Sequence, residues 1–83
     1  MRNSKIKVKI KGKTGILYYE NEKKMSVDSE LIFNPAGVTV YSETIQKWDP
    51  PYDIEILNSI EKKRISNNIK QELENMGYRV DMD

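Results

Sequence analysis

The side chains in this sequence that can do chemistry are lysines, carboxylates and tyrosines, and several of them are regularly spaced. Lys5, Lys7, Lys9 and Lys11 take every second position of one segment. Extended chain puts all four ammonium groups on one face, a row suited to a phosphate backbone. Asp28/Glu30 and Asp53/Glu55 are carboxylate pairs two residues apart. On extended chain such a pair points one way, toward a metal ion or acid–base work, although alternation alone produces it on any wet face. Gly12-x-x-Gly15 encloses a lysine. Without a Gly-Lys-Ser/Thr leading into a helix these glycines read as a hairpin turn rather than a phosphate cradle.

The inventory excludes more than it offers. The 83 residues include no histidine and no cysteine. Imidazole-based triads, disulfides, thiolate nucleophiles and Cys-based zinc or iron–sulfur sites are thereby removed. A non-enzymatic protein without cofactor or metal is the expectation. Apolar residues make up 37% and charged residues 33% of the chain, which suits one domain, residues 1–83, with a modest core. Lysine at every second position near the start forbids a signal peptide, and no apolar run is long enough to span a bilayer. The expected location is cytoplasmic, with no membrane partner. Net charge is +1, yet residues 1–41 carry a balance of +4 and residues 42–83 a balance of −3. A dipolar molecule with a basic and an acidic patch is expected.

The elements that must position these groups follow from hydrophobic period. Ile6, Val8 and Ile10 alternate with the lysines, as in a strand with one buried and one wet face. Gly12-Lys13-Thr14-Gly15 reverses the chain, and Ile16–Glu20 returns as a second strand. Met25, Val27, Leu31 and Phe33 predict one long strand, or two joined by a kink near Ser29. Asn34-Pro35-Ala36-Gly37 reads as a turn, and Val38–Tyr41 as a short strand. Asn58 and Glu61 have capping-box spacing at a helix start. Ile65, Ile69, Leu73 and Met76, with Ile60 leading, form one helical stripe, and Gly77 stops it. Tyr78, Val80 and Met82 alternate as a last strand. The expected fold class is α+β: a small twisted antiparallel β-sheet of about four to five strands, with one C-terminal helix packed across one face. The lysine face and Lys62, Lys63, Arg64 and Lys70 then point to solvent.

The stretch from Tyr41 to Asp53 is the least ordinary. It holds the single tryptophan, Trp48, and two consecutive prolines, Pro50 and Pro51, between a strand and a helix. Trp48 and Ile45 are expected to plug the end of the sheet, while Tyr52 and Asp53 stay on the surface. Aromatics and acids on a stiff backbone suit a recognition loop, since little entropy is lost on binding.

Val38, Val40, Tyr41, Ile45, Trp48, Asp49, Pro50, Pro51 and Asp53, followed by Ile65, Asn68, Ile69 and Leu73, resemble the immunity protein 74 family of bacterial polymorphic toxin systems. The resemblance covers about Val38 to Val80. Residues 1–37 share only strand-rich character. Members of that family often have histidine where Tyr52 stands and serine where Thr44 stands, a departure that points to a different partner. The resemblance implies an immunity protein that binds and neutralises a cognate toxin domain by occluding its active site. Asp49, Tyr52, Asp53 and Glu55 are the candidate partner-binding residues, because acidic side chains can mimic the phosphates a nuclease toxin would bind. The alternative is a small nucleic-acid-binding module using the Lys5/Lys7/Lys9/Lys11 strand face, with Tyr18 or Tyr19 as stacking aromatic.

Overall fold

The structure is a computed structural model that describes residues 5–33 and 36–83. Ile6–Lys11 form β1, and Gly15–Glu20 form β2 after a turn in which Gly12 takes a positive φ of 66°. Glycine adopts that conformation without a steric penalty. The tight reversal at Asn21, also at positive φ, leads into β3, Lys23–Phe33. Ala36–Val40 form β4. The turn read at Asn34-Pro35-Ala36-Gly37 rests on residues 34 and 35, which lie outside the described residues; Ala36 and Gly37 belong to β4. A crossover with short helical turns at Ser42–Thr44 and Tyr52–Ile54 leads to α1, Ser59–Asn75, and the chain returns as β5, Arg79–Met82.

The five strands lie in sequence order β1-β2-β3-β4-β5. The expected antiparallel sheet is found from β1 to β4, and β5 joins β4 in parallel, which makes the whole sheet mixed. The long crossover from β4 through α1 makes that direction possible, because parallel neighbours need a connection of a dozen residues or more. The helix lies against both edge strands, β1 and β5.

β3 is one strand throughout, and Ser29 marks a change of partner rather than a kink. Residues 23–28 pair with β2, and residues 29–33 pair with β4. The remaining backbone groups find partners in loops. Ser29 and Leu31 donate to the carbonyls of Thr14 and Lys13 on one side, at 3.1 and 3.0 Å. On the other side Asp49 N–H donates to Lys24 O at 2.8 Å, and Asp28 N–H to Thr44 Oγ1 at 2.9 Å. The crossover loop thus takes the place of a strand beside the first half of β3, in keeping with the rule that buried backbone groups are paired.

Register puts the apolar positions of successive strands opposite one another, Val8 with Tyr18 with Met25 and Ile10 with Ile16 with Val27. β4 and β5 continue the face with Val38 opposite Val80 and Val40 opposite Met82. Ile65, Ile69 and Leu73 of α1 are buried against it, with Ile45, Trp48 and Leu57 from the crossover. The capping box is present: Asn58 Oδ1 accepts from Glu61 N at 2.8 Å, and Glu61 Oε1 accepts from Asn58 N at 3.2 Å. Gly77, at φ 97°, ends the helix. Two members of the expected stripe are not in it. Ile60 is 78% exposed and Met76 is 48% exposed. Ile60 precedes Ile65 by five residues, about 140° around a helix turning ~100° per residue. Met76 is the C-cap, where the helix has already ended.

Candidate functional site

Lys23, the first residue of β3, organises the crossover. Its Nζ lies 5.7 Å from the Trp48 ring centroid and 5.3 Å from that of Tyr52. The same ammonium bonds Glu55 Oε1 at 2.5 Å. One cation therefore gathers two aromatic faces and a carboxylate from three points of the loop. The hydrogen bond that Lys23 donates to Glu55 raises the lysine's pKa above its ordinary value, so it stays charged across the neutral range. Both partners of this pair are substantially exposed, so its energetic contribution is small and its value is positional.

Trp48 is buried as expected, and its ring stacks on Tyr18 with centroids 6.1 Å apart. Tyr52 is half-buried rather than fully on the surface. Its ring packs against the core, and its hydroxyl donates to Glu22 Oε2 at 3.1 Å, which raises the phenol's pKa. Asp49 and Asp53 lie on a different side of the loop. They line a shallow hollow of about 290 Å³ with Ser26, Thr44, Lys47 and Pro50. Asp49 holds the loop by its backbone, donating to Lys24 O and accepting from Tyr52 N at 3.1 Å. The four candidate residues thus divide into two pairs: Asp49 and Asp53 at the hollow, Tyr52 and Glu55 around Lys23. The Pro50–Pro51 bond between them is cis.

Three isoleucines of this region stand in solvent. Ile54 is 85%, Ile56 91% and Ile60 78% exposed, the most exposed large apolar side chains among the described residues. The sequence carried a signal for them. Ile54 and Ile56 alternate about Glu55, and Ile60 is out of phase with the helical stripe.

On the opposite face of the sheet, Lys5, Lys7, Lys9 and Lys11 are exposed. Tyr18 is fully buried and cannot serve as a stacking aromatic there, because its phase places it under Trp48 and α1. Tyr19 does lie on that face, opposite Lys7 on one side and Lys24 on the other. Arg64 is exposed but not idle: its guanidinium bonds Glu20.

No group of three or more acidic, histidine or cysteine side chains is arranged to hold a metal among the described residues. The Asp53/Glu55 pair is split between the hollow and Lys23. No helix of the described residues is long and apolar enough to cross a membrane.

A model of the Immunity protein 74 family matches residues 1–83. The chain belongs to that family. The Immunity protein 74 match extends over β1, β2 and β3, so the N-terminal strands belong to the family pattern along with the Trp48–Asp53 loop and α1. No match was found among curated proteins or among solved structures.

Proposed function

We propose that this chain is an immunity protein that binds a cognate bacterial toxin domain and neutralises it by occluding its active site. The single observation carrying this reading is the match of the Immunity protein 74 family model to residues 1–83. The architecture is compatible with it. A blocker needs a rigid surface and no reacting groups, and the crossover loop is fixed to β3 by Asp49, Tyr52 and Glu55. It acts in the cytoplasm of the producing cell, one copy to one toxin, in a polymorphic toxin system of the contact-dependent kind. Co-expression with the cognate toxin domain is the test. Cells are expected to grow with the cognate toxin and to die with unrelated ones, and death with a verified cognate toxin would remove the reading.

A second reading rests on Tyr19. It is flanked across the strands by Lys7 and Lys24, and it lines a hollow of about 690 Å³ with Lys5, Lys7 and Lys9. An aromatic among cations suits single-stranded nucleic acid. On this reading Lys7→Glu with Lys9→Glu abolishes oligonucleotide binding, whereas on the immunity reading it leaves toxin binding intact.

A further inference from the structure

We infer that the segment Ile54–Ile60 is the surface that seats on the toxin, and that it takes an apolar depression bordered by lysine or arginine. The inference rests on the immunity reading and adds to it the face and the chemistry of contact. Four isoleucines of this chain, Ile16, Ile45, Ile65 and Ile69, are at most 1% exposed. Ile54, Ile56 and Ile60 are 78–91% exposed and fall within seven residues of chain. Scattered exposed apolar residues are ordinary, whereas a group of the largest ones in one segment marks an interaction site. The span is short enough for one interface. Six peptide units reach at most about 21 Å, and a patch of about 800 Å² per partner is about 32 Å across.

The segment is also held before any partner arrives. Glu55 N–H donates to Tyr52 O at 3.0 Å, and the Glu55 carboxylate is tied to Lys23. Leu57 is buried, and Asn58 caps the helix. Glu55 has extended backbone angles, φ −77° and ψ 133°. Lys23 holds the Glu55 carboxylate at β3, whereas Ile54 and Ile56 on either side of it stand in solvent. Glu55 is therefore a positioning residue, and the isoleucines are the contact. A fixed apolar ridge loses little conformational entropy on binding.

Charge selects the occupant. Residues 48–61 contain Asp49, Asp53, Glu55 and Glu61 and no lysine or arginine. A second copy of this chain paired symmetrically through this segment would set those carboxylates against their own kind. Anionic lipid would be repelled in the same way. A protein surface with cations around an apolar depression fits both features.

The test uses the full chain and a catalytically inactivated cognate toxin domain. Ile54→Ser with Ile56→Ser, and separately Ile60→Ser, are compared with wild type and with Lys7→Glu/Lys9→Glu by binding kinetics. The double isoleucine variant is expected to weaken affinity about thirty-fold or more, as loss of interface anchors does. Its melting temperature should stay within about 3 °C of wild type, because exposed side chains contribute little to the fold. The lysine variant should bind as wild type does. Undiminished toxin binding by both isoleucine variants would overturn the inference and leave the immunity role standing. No binding by the wild type would instead remove the immunity reading, and this inference with it. Isoleucine-dependent self-association, or capture by phosphatidylcholine vesicles, would assign the ridge to a second copy or to a membrane and overturn it as well.

Discussion

Asn68, on the third turn of α1, donates its side-chain amide to the hydroxyl of Tyr18 on β2 at 3.0 Å. That hydroxyl donates in turn to Glu20 Oε1 at 2.7 Å, and the same carboxylate oxygen accepts from Arg64. A buried phenol, a helix amide and an ion pair thus form one polar clasp between helix and sheet. A helix held only by Ile65, Ile69 and Leu73 could slide on an apolar face. The clasp fixes its register, since a displaced Asn68 would leave a buried hydroxyl short of a partner.

Alkaline stability should reveal this clasp. Burial pushes the Tyr18 pKa well above its ordinary value; the hydrogen bond from Asn68 comes next and lowers it, and the Glu20 carboxylate raises it. The unfolded chain releases that proton near pH 10 while the folded chain retains it. The stabilisation is complete below pH 10 and is lost as pH rises from there toward the folded-state pKa, at about 1.4 kcal/mol per pH unit. Tyr18→Phe should cost about 1 kcal/mol at neutral pH and flatten that extra alkaline slope. Denaturant midpoints measured from pH 8 to pH 11.5 check it, and parallel slopes for the two proteins would refute it.

The buried stripe should be costly to erode. Ile69→Ala leaves a cavity beneath α1 and is expected to destabilise by about 2–4 kcal/mol. Lys7→Ala and Lys9→Ala, exposed on β1, should change the urea midpoint very little. Comparable losses from lysine and isoleucine variants would contradict the assignment of faces.

Asn58→Ala should remove the capping box and cost about 1 kcal/mol, within a range of about 0.5–2 kcal/mol. Asn58→Asp should restore most of it, because a carboxylate also accepts from Glu61 N and favours the helix N-terminus. Thermal melts of the three proteins give the comparison.

Association with a basic toxin should depend on the loop's acids. Asp53 is half-buried at the rim of the hollow and, among the described residues, bonds no cation in the way that Glu55 bonds Lys23. Asp53→Lys is expected to slow association more than it speeds dissociation. The difference from wild type should shrink as salt shortens the screening length from about 10 Å at 0.1 M to about 3 Å at 1 M. Stopped-flow association rates across that range decide the matter. Equal rates at low salt would move the contact away from Asp53.

Local signals made the helix and most of the sheet legible. Asn58, Glu61 and Gly77 announce both ends of α1, and alternation announces β1 and β5. The direction of β5 is not written locally, because it follows from how the crossover and α1 return the chain. The phase of β2 is also ambiguous in sequence. Ile16-Leu17-Tyr18-Tyr19 offers an apolar and an aromatic residue to either face, and only pairing with β1 and β3 puts Tyr18 inside and Tyr19 outside. At the candidate site the acids could be read from the chain, but their partners could not. Lys23 stands far from Glu55 in sequence, and only the folded loop joins them. The exposure of Ile54 and Ile56 is not legible in the chain, because alternation says which residues share a side, not which side is wet.

The parallel pairing of β4 with β5 has a bearing on how the chain is made. Gly37 meets Arg79, so β4 waits for about forty further residues before its outer edge is covered. At ~5–20 residues per second, ~2–8 s separate the synthesis of β4 from that of β5. β1, β2 and β3 can meanwhile close as hairpins with partners only a few residues away. A sheet of β1 to β4 without β5 has an open side that invites pairing with another chain. The return of the chain as β5 covers that edge, which makes β5 a safeguard against aggregation as well as part of the sheet.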